Sequence, residues 1–152
     1  MADLQKLKSI IGNYKGTNRL HDPHTNKPDD TPSNLNIASI LNGRFVRIDY
    51  NWSYQNAPHE GSMLIGFVPK ENLATMHWID SWHMSNKVLA LQGVMEADGS
   101  INVLGSYPAP PDPDWGWRIV VKPAGTSLNI LMFNISPKGE EYPAVEATYN
   151  KV

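Results

Sequence analysis

The stretch Thr75–Met84, TMHWIDSWHM, sets two histidines, two tryptophans and an aspartate within ten residues, with no glycine or proline among them. Histidine and aspartate are the usual carriers of protons, and tryptophan adds a flat apolar face with a single N–H donor. On a strand, successive side chains alternate faces. Met76, Trp78, Asp80 and Trp82 then share one face, and Thr75, His77, Ile79, Ser81 and His83 share the other. The aspartate goes with the tryptophans and away from the histidines. A carboxylate bracketed by indoles is poorly hydrated, which costs free energy and raises its pKa unless a donor is found. An arginine or hydroxyl partner offsets that cost. A single inward carboxylate can hold a ligand head group, orient a water or act as a general base. The plainer alternative is an aspartate tied to a buried Arg or Tyr only to satisfy both.

The histidines do not form a metal set. His77 and His83 are six residues apart, roughly 20 Å along a strand. His21 and His24 flank Asp22 in a loop, where the expectation is solvated side chains, and His59 is also in a loop. With no cysteine and no His-Glu-x-x-His, no metal site and no cofactor are expected. Gly-x-Ser-x-Gly, Walker and Gly-x-Gly-x-x-Gly motifs are also missing from the sequence.

The elements that must position these residues read as strands. Residues 2–10 predict one short helix, with Leu4, Leu7, Ile10 and Ile11 on a face and Gly12 as the stop; it is expected to plug the body. Asn42-Gly43 and Asp98-Gly99 are hairpin turn signals. Pro69–Asn72, Ala124–Thr126 and Pro137–Gly139 break the chain at similar spacing. Ten strands follow, over about 12–20, 34–41, 44–54, 61–68, 73–83, 87–95, 100–107, 115–122, 127–135 and 142–151. Short connections make neighbours pair, and closing such a meander removes its two edges. The expected fold is all-β: a closed antiparallel barrel of about ten strands, in one domain covering 1–152. His21–Pro32 and Pro108–Asp114, rich in proline and aspartate, are expected to be irregular loops at the barrel mouths.

The quoted segments carry a family resemblance. IGNYKGTNRL resembles the Gly-x-Trp signature that opens lipocalin-like barrels, with Tyr14 where tryptophan is usual. LNGRFVRIDY, IGFVPKENLATMHWIDSW and GEEYPAVEATYNKV look like a bacterial family of uncharacterised lipocalin-like proteins. That family has Gly-Arg-Phe leading to an acidic residue, Trp-x-Asp after a turn, and a closing Glu-x-Thr-Tyr strand. Asp49 stands where glutamate is common, and Phe67-Val68 replace Tyr-Asp. The resemblance implies a lipocalin or fatty-acid-binding-protein type of barrel with Trp78, Asp80 and Trp82 facing inward. It implies no assigned activity.

In RFVRIDYNWSY the alternation leaves the facing open. Val46, Ile48, Tyr50 and Trp52 form the more apolar set, yet Asp49 is the acidic position that matches the family. Arg118 follows Trp115 and Trp117, and Glu146 lies in the last strand. Asp49, Asp80 and Glu146 with Arg118 are expected to form an inward polar cluster, beside a cavity lined by Trp52, Trp78, Trp82 and Trp117. The alternative for each charge is the outer face.

Net charge is −2 without a basic stripe, which argues against nucleic acid. No apolar run approaches the length of a membrane span. The first residues lack a signal peptide's apolar core, so a cytoplasmic chain is expected. Several strands, such as NILMFNI, are apolar on both faces, which points to a homodimer. The leading reading is binding of a small, partly apolar or aromatic ligand inside the barrel, neutral or cationic because carboxylates outnumber arginines. The alternative is an isomerase, hydratase or hydrolase with Asp80 or Glu146 as general base. A haem barrel of the nitrobindin kind requires an inward histidine, and so requires the facing of His77 or His83 to be reversed. The last is an interaction module whose barrel is filled by its own side chains.

Overall fold

A computed structural model describes residues 4–152. One helix, α1 (Leu4–Lys8), leads into ten strands. They are β1 (Gly12–Asp22), β2 (Lys27–Ile40), β3 (Phe45–Tyr54), β4 (Ala57–Val68), β5 (Leu73–Asp80), β6 (Leu89–Met95), β7 (Ile101–Ala109), β8 (Asp112–Ala124), β9 (Ser127–Ile135) and β10 (Glu141–Lys151). Each strand pairs antiparallel with its chain neighbours, and β1 pairs with β10 to close the barrel. The expected meander and its closure are both present. Residues 2 and 3 of the expected helix lie outside the described residues.

Turn chemistry sets the registers. Asn42 and Gly43 both have positive φ (59° and 77°), and the Arg44 N–H donates to the Leu41 carbonyl at 3.3 Å. That is the geometry the Asn-Gly pair predicts. Gln55-Asn56 makes a second turn with two positive φ values (50° and 65°). It extends the β3–β4 hairpin to the pair Tyr54↔Ala57.

The two segments expected as irregular loops are hairpin arms instead. β1 and β2 pair out to Asp22↔Lys27, and β7 and β8 meet at Ala109↔Asp112. The proline content misleads because β2 pairs with β3 only over Leu35–Ile40. Residues 27–34 therefore have a neighbour on one side only, and proline is tolerated where the ladder does not need its N–H.

Alternation fills the inside. Ile48, Met63, Ile65, Met76, Ile101, Val103, Ile119, Val121 and Leu128 are all 0% exposed. A side chain with no accessible surface borders no water-sized void, so the middle of the barrel is packed solid. Leu7 and Ile10 are buried against the end formed by the 41–44, 69–72 and 96–100 connections. The Tyr14 hydroxyl donates to the Ile10 carbonyl at 2.7 Å, tying the plug to the wall. The helix is thus a stopper, as its apolar face predicts.

Leu7→Ala is expected to lower the unfolding free energy by about 2–5 kcal/mol, the range for deleting a buried leucine side chain. Urea titration reads this directly. A loss under about 0.5 kcal/mol, the level of surface substitutions, would mean that the helix does not plug the core.

Candidate functional site

At the end opposite α1, the inner wall becomes aromatic and polar. Asp80 closes β5 and is 3% exposed. Its Oδ2 accepts from the Tyr50 hydroxyl at 2.7 Å and from Trp52 Nε1 at 3.2 Å. Its Oδ1 accepts from the backbone N–H groups of Trp82 (2.9 Å) and His83 (3.0 Å). Trp78 Nε1 donates in turn to the Tyr50 hydroxyl at 2.9 Å. Burial pushes the Asp80 carboxyl up, but the His83 side chain, the Tyr50 hydroxyl and the His83 backbone N–H outweigh it and leave it below the ordinary value. The offset that a hydroxyl partner was expected to supply comes in part from Tyr50. Tyr50 moves well up, through burial first and the Asp80 charge second, so it stays a neutral donor.

Glycine makes this contact geometrically possible. Tyr50 lies opposite Gly61, and Gly61 lies opposite Asp80. The tyrosine ring crosses the bare glycine to reach a carboxylate two strands away. A Cβ at Gly61 would fall 2.1 Å from Tyr50 ring atoms. The same layout recurs where Tyr149, across Gly16 from Ser33, bonds the Ser33 hydroxyl at 2.8 Å. Aromatic rings covering strand glycines are a general way to stabilise curved sheet.

His83 is the main departure from the sequence reading. Strict alternation puts it on the far face from Asp80, but β5 ends at Asp80. The carboxylate takes the N–H groups two and three residues on, as in Asx turns, and the chain folds over the barrel end. His83 Nδ1 then lies 3.1 Å from Asp80 Oδ1, and its side chain is only 11% exposed. The ion-pair distance is met, but the N–H does not aim well enough to count as a hydrogen bond. Four indoles surround the ring, with centroid distances of 5.6 Å to Trp52, 5.5 Å to Trp78, 4.7 Å to Trp82 and 5.6 Å to Trp117. Trp78 from β5 and Trp117 from β8 stack across the lumen at 5.4 Å and 10°, making a floor between the packed middle and the mouth.

Trp52, Trp78, Asp80, Trp82 and Trp117 are thus brought together as expected. Asp49, Arg118 and Glu146 are not, and the inward polar cluster does not form. Asp49 is held on the outer wall by Arg47 at 3.0 Å and the Ser62 hydroxyl at 2.7 Å. Arg118 pairs outside with Glu141 at 2.7 Å, and Glu146 with His21 at 3.3 Å. The apolar set of β3 faces inward because burying Val46, Ile48, Tyr50 and Trp52 outweighs any gain from surface ion pairs, which are worth at most about 1 kcal/mol. His77 stays outward and exposed, as its alternation predicts.

Tyr107 and Asn134 complete the mouth, joined by a 2.5 Å bond from the Tyr107 hydroxyl to Asn134 Oδ1. The sequence offered one signal for Tyr50, its place in the apolar alternation opposite Gly61, and one for His83, the Asp-Ser turn just before it. An open groove of about 860 Å³ lies on the outer wall of β1–β5, and its lining includes Tyr50, Gly61 and Asp80 of the network above. Its Arg47, Asp49 and Ser62 side chains bond to one another, and Asn36 bonds to Asn13. No cluster of three or more potential metal ligands occurs among the described residues.

A family model described as "Protein of unknown function (DUF1579)" matches residues 2–151. No curated protein matches the sequence. Among solved structures, the crystal structure of Rv2717c from M. tuberculosis aligns with a TM-score of 0.69 at 14% identity, over 98% of this chain and 96% of that one. At that identity the likeness is one of fold.

Gly61→Ala is expected to cost about 1–3 kcal/mol, the range for overpacking, and to separate Tyr50 from Asp80. Urea unfolding with near-UV circular dichroism reads both effects, and an unchanged spectrum at unchanged stability would contradict the contact. Acid should act on the same group. The folded Asp80 pKa lies below the unfolded one, so its contribution is full above about pH 4 and fades as pH falls through the folded value. Stability measured at falling pH should show an acid-side loss that is reduced in Asp80→Asn; equal acid slopes would refute the assignment.

Proposed function

This chain belongs to the DUF1579 family of proteins of unknown function, and from its own geometry we propose that it binds a small, flat, partly apolar ligand at the aromatic end of the barrel. The observation that carries the reading is the distribution of residual exposure along the inner wall. It is nil through the middle and reappears at Trp117 (8%), Tyr50 (8%) and His83 (11% of the side chain), with Trp82, Tyr54 and Tyr107 partly exposed at the rim. A ligand therefore rests against the mouth above the Trp78–Trp117 floor and does not enter a deep lumen. Flat aromatic surface with a few fixed polar atoms favours planar ligands. With Asp49, Glu146 and Arg118 outside, the charge count behind a cationic preference lapses, and a neutral ligand fits best.

The same packing weighs against haem. His83 does face inward, but four tryptophan rings occupy the space a macrocycle would need beside it. Asp80 is a poor general base, since both oxygens are already engaged and its pKa is lowered. Glu146 is on the wrong side of the wall. The whole chain acts in this reading as one barrel domain in the cytoplasm. Lys15, Arg19, Arg47 and Glu60 on the outer face fit water and not lipid. Exposed Leu64, Ile79, Val94 and Leu104, one on each of β4 to β7, support self-association as a homodimer.

Titration with a library of neutral flat aromatic fragments, followed by tryptophan emission, tests the reading. Binding fragments should quench or shift the emission, and Trp82→Ala should weaken them about tenfold or more, from the worth of a buried aromatic contact. Native mass spectra of the same samples report the stoichiometry and the dimer. A library without a single responder would sink the reading.

A further inference from the structure

His83 has the geometry of a base whose orienting group is built in. Asp80 fixes the start of the turn through two backbone N–H groups and faces Nδ1 at 3.1 Å. The covalent geometry of imidazole then points Nε2 away from the carboxylate, and Nε2 has no hydrogen-bond partner among the described residues. We propose that the aromatic end is a proton-transfer site for small planar aryl ketones, with His83 Nε2 as the base and Asp80 as its positioning residue. This rests on the binding reading above and gives it a substrate class.

Two donors lie at this end of the barrel, one beside the ring and the other paired with the first across the β8–β9 ladder. Trp117 Nε1 is a buried N–H without a partner among the described residues, and its indole lies 5.6 Å from the His83 ring. Leaving such a donor unpaired costs about 1–3 kcal/mol, which a carbonyl oxygen would recover once a bound ligand displaces the local packing. Asn134 lies opposite Trp117 in the register. Its amide oxygen is taken by Tyr107, so it has only its NH2 to offer. The surroundings select among reactions. The neighbouring hydroxyl, Ser81, faces outward to His59 Nδ1 at 2.8 Å and the Glu60 N–H at 3.1 Å, so it does not serve His83 as a nucleophile. Hydrolysis needs a water held by polar groups, whereas four indoles surround this base. Transfer to and from carbon suits such a wall.

The step balances without a co-reactant. Nε2 takes a proton from the carbon beside the carbonyl. The C–H pair becomes the enolate C=C bond, and the carbonyl π pair moves to oxygen, where Trp117 and Asn134 donate. Return of a proton from Nε2 to carbon restores the neutral imidazole. A general base of this kind contributes about 10²–10⁴-fold.

Phenylacetone and 2-indanone in D2O are the probes. Tryptophan quenching measures their binding, and NMR measures deuterium uptake beside the carbonyl. The expected result is binding of at least one probe, with exchange faster than in buffer alone. His83→Gln should lower that enzyme-dependent rate about a hundredfold, a far larger factor than any accompanying change in Kd, with the fold retained. Asp80→Asn should lower the rate by a clearly larger factor than it weakens binding, a split that a purely structural loss would not give. If Asp80→Asn fails to fold, Asp80→Glu serves, with partial rate and retained binding expected. Binding without faster exchange, or equal exchange in His83→Gln, overturns the inference and leaves the binding reading standing. No binding by either probe, where other fragments do bind, refutes the aryl-ketone class. No binding by any fragment removes both.

Discussion

The buried carboxylate of Asp80 is the constraint on which the aromatic end of this barrel depends. Removing a carboxylate from water costs several kcal/mol unless hydrogen bonds replace its hydration. Here the replacements come from three directions: the Tyr50 hydroxyl from β3, the Trp52 indole beyond it, and the backbone of the turn after β5. Each donor is also part of the architecture. Satisfying one charge therefore fixes a tyrosine across a glycine, orients an indole, ends a strand and turns a histidine inward.

Those consequences spread in order. Tyr50 accepts from Trp78, and Trp78 stacks on Trp117 from the opposite wall. The network so spans the lumen and sets the depth at which the barrel is sealed. Below that floor, side chains from all sides interlock with no exposure. Above it, His83 and the remaining aromatics face a shallow mouth. The other end needs no such chemistry, because Leu7 and Ile10 close it by burial alone and Tyr14 anchors them. One end is thus closed by apolar burial alone and the other by a hydrogen-bonded carboxylate and stacked indoles.

Much of the fold was legible because period-two alternation and turn residues act locally. Ten strands, the closing of the meander, the helical plug and the Asn42-Gly43 turn all follow from such short-range signals. The hairpin arms were missed because proline reads as loop, when a strand paired on one side only can carry it. The site was half legible. Alternation placed Trp78 and Asp80 correctly relative to each other and to Trp52 once the apolar set of β3 was turned inward. It failed for Asp49, Arg118 and Glu146, where a family resemblance stood in for facing. It failed for His83 because alternation ends with the strand, and the strand ends where Asp80 captures the next two N–H groups. The Asp-Ser turn is a local signal, but the donors that keep the Asp80 carboxylate buried, Tyr50 and Trp52, lie on β3, outside that stretch.

The most direct test of the account is an NMR measurement on the unmodified protein in solution: the ring-proton shifts of His83 and their NOEs. If Asp80 holds the imidazole among Trp52, Trp78, Trp82 and Trp117, its carbon-bound protons should be displaced by ring currents. They should also show NOEs to indole protons of Trp52 and Trp117. Random-coil shifts, with NOEs only to sequence neighbours, would mean that His83 points to solvent and that Asp80 does not organise this end of the barrel.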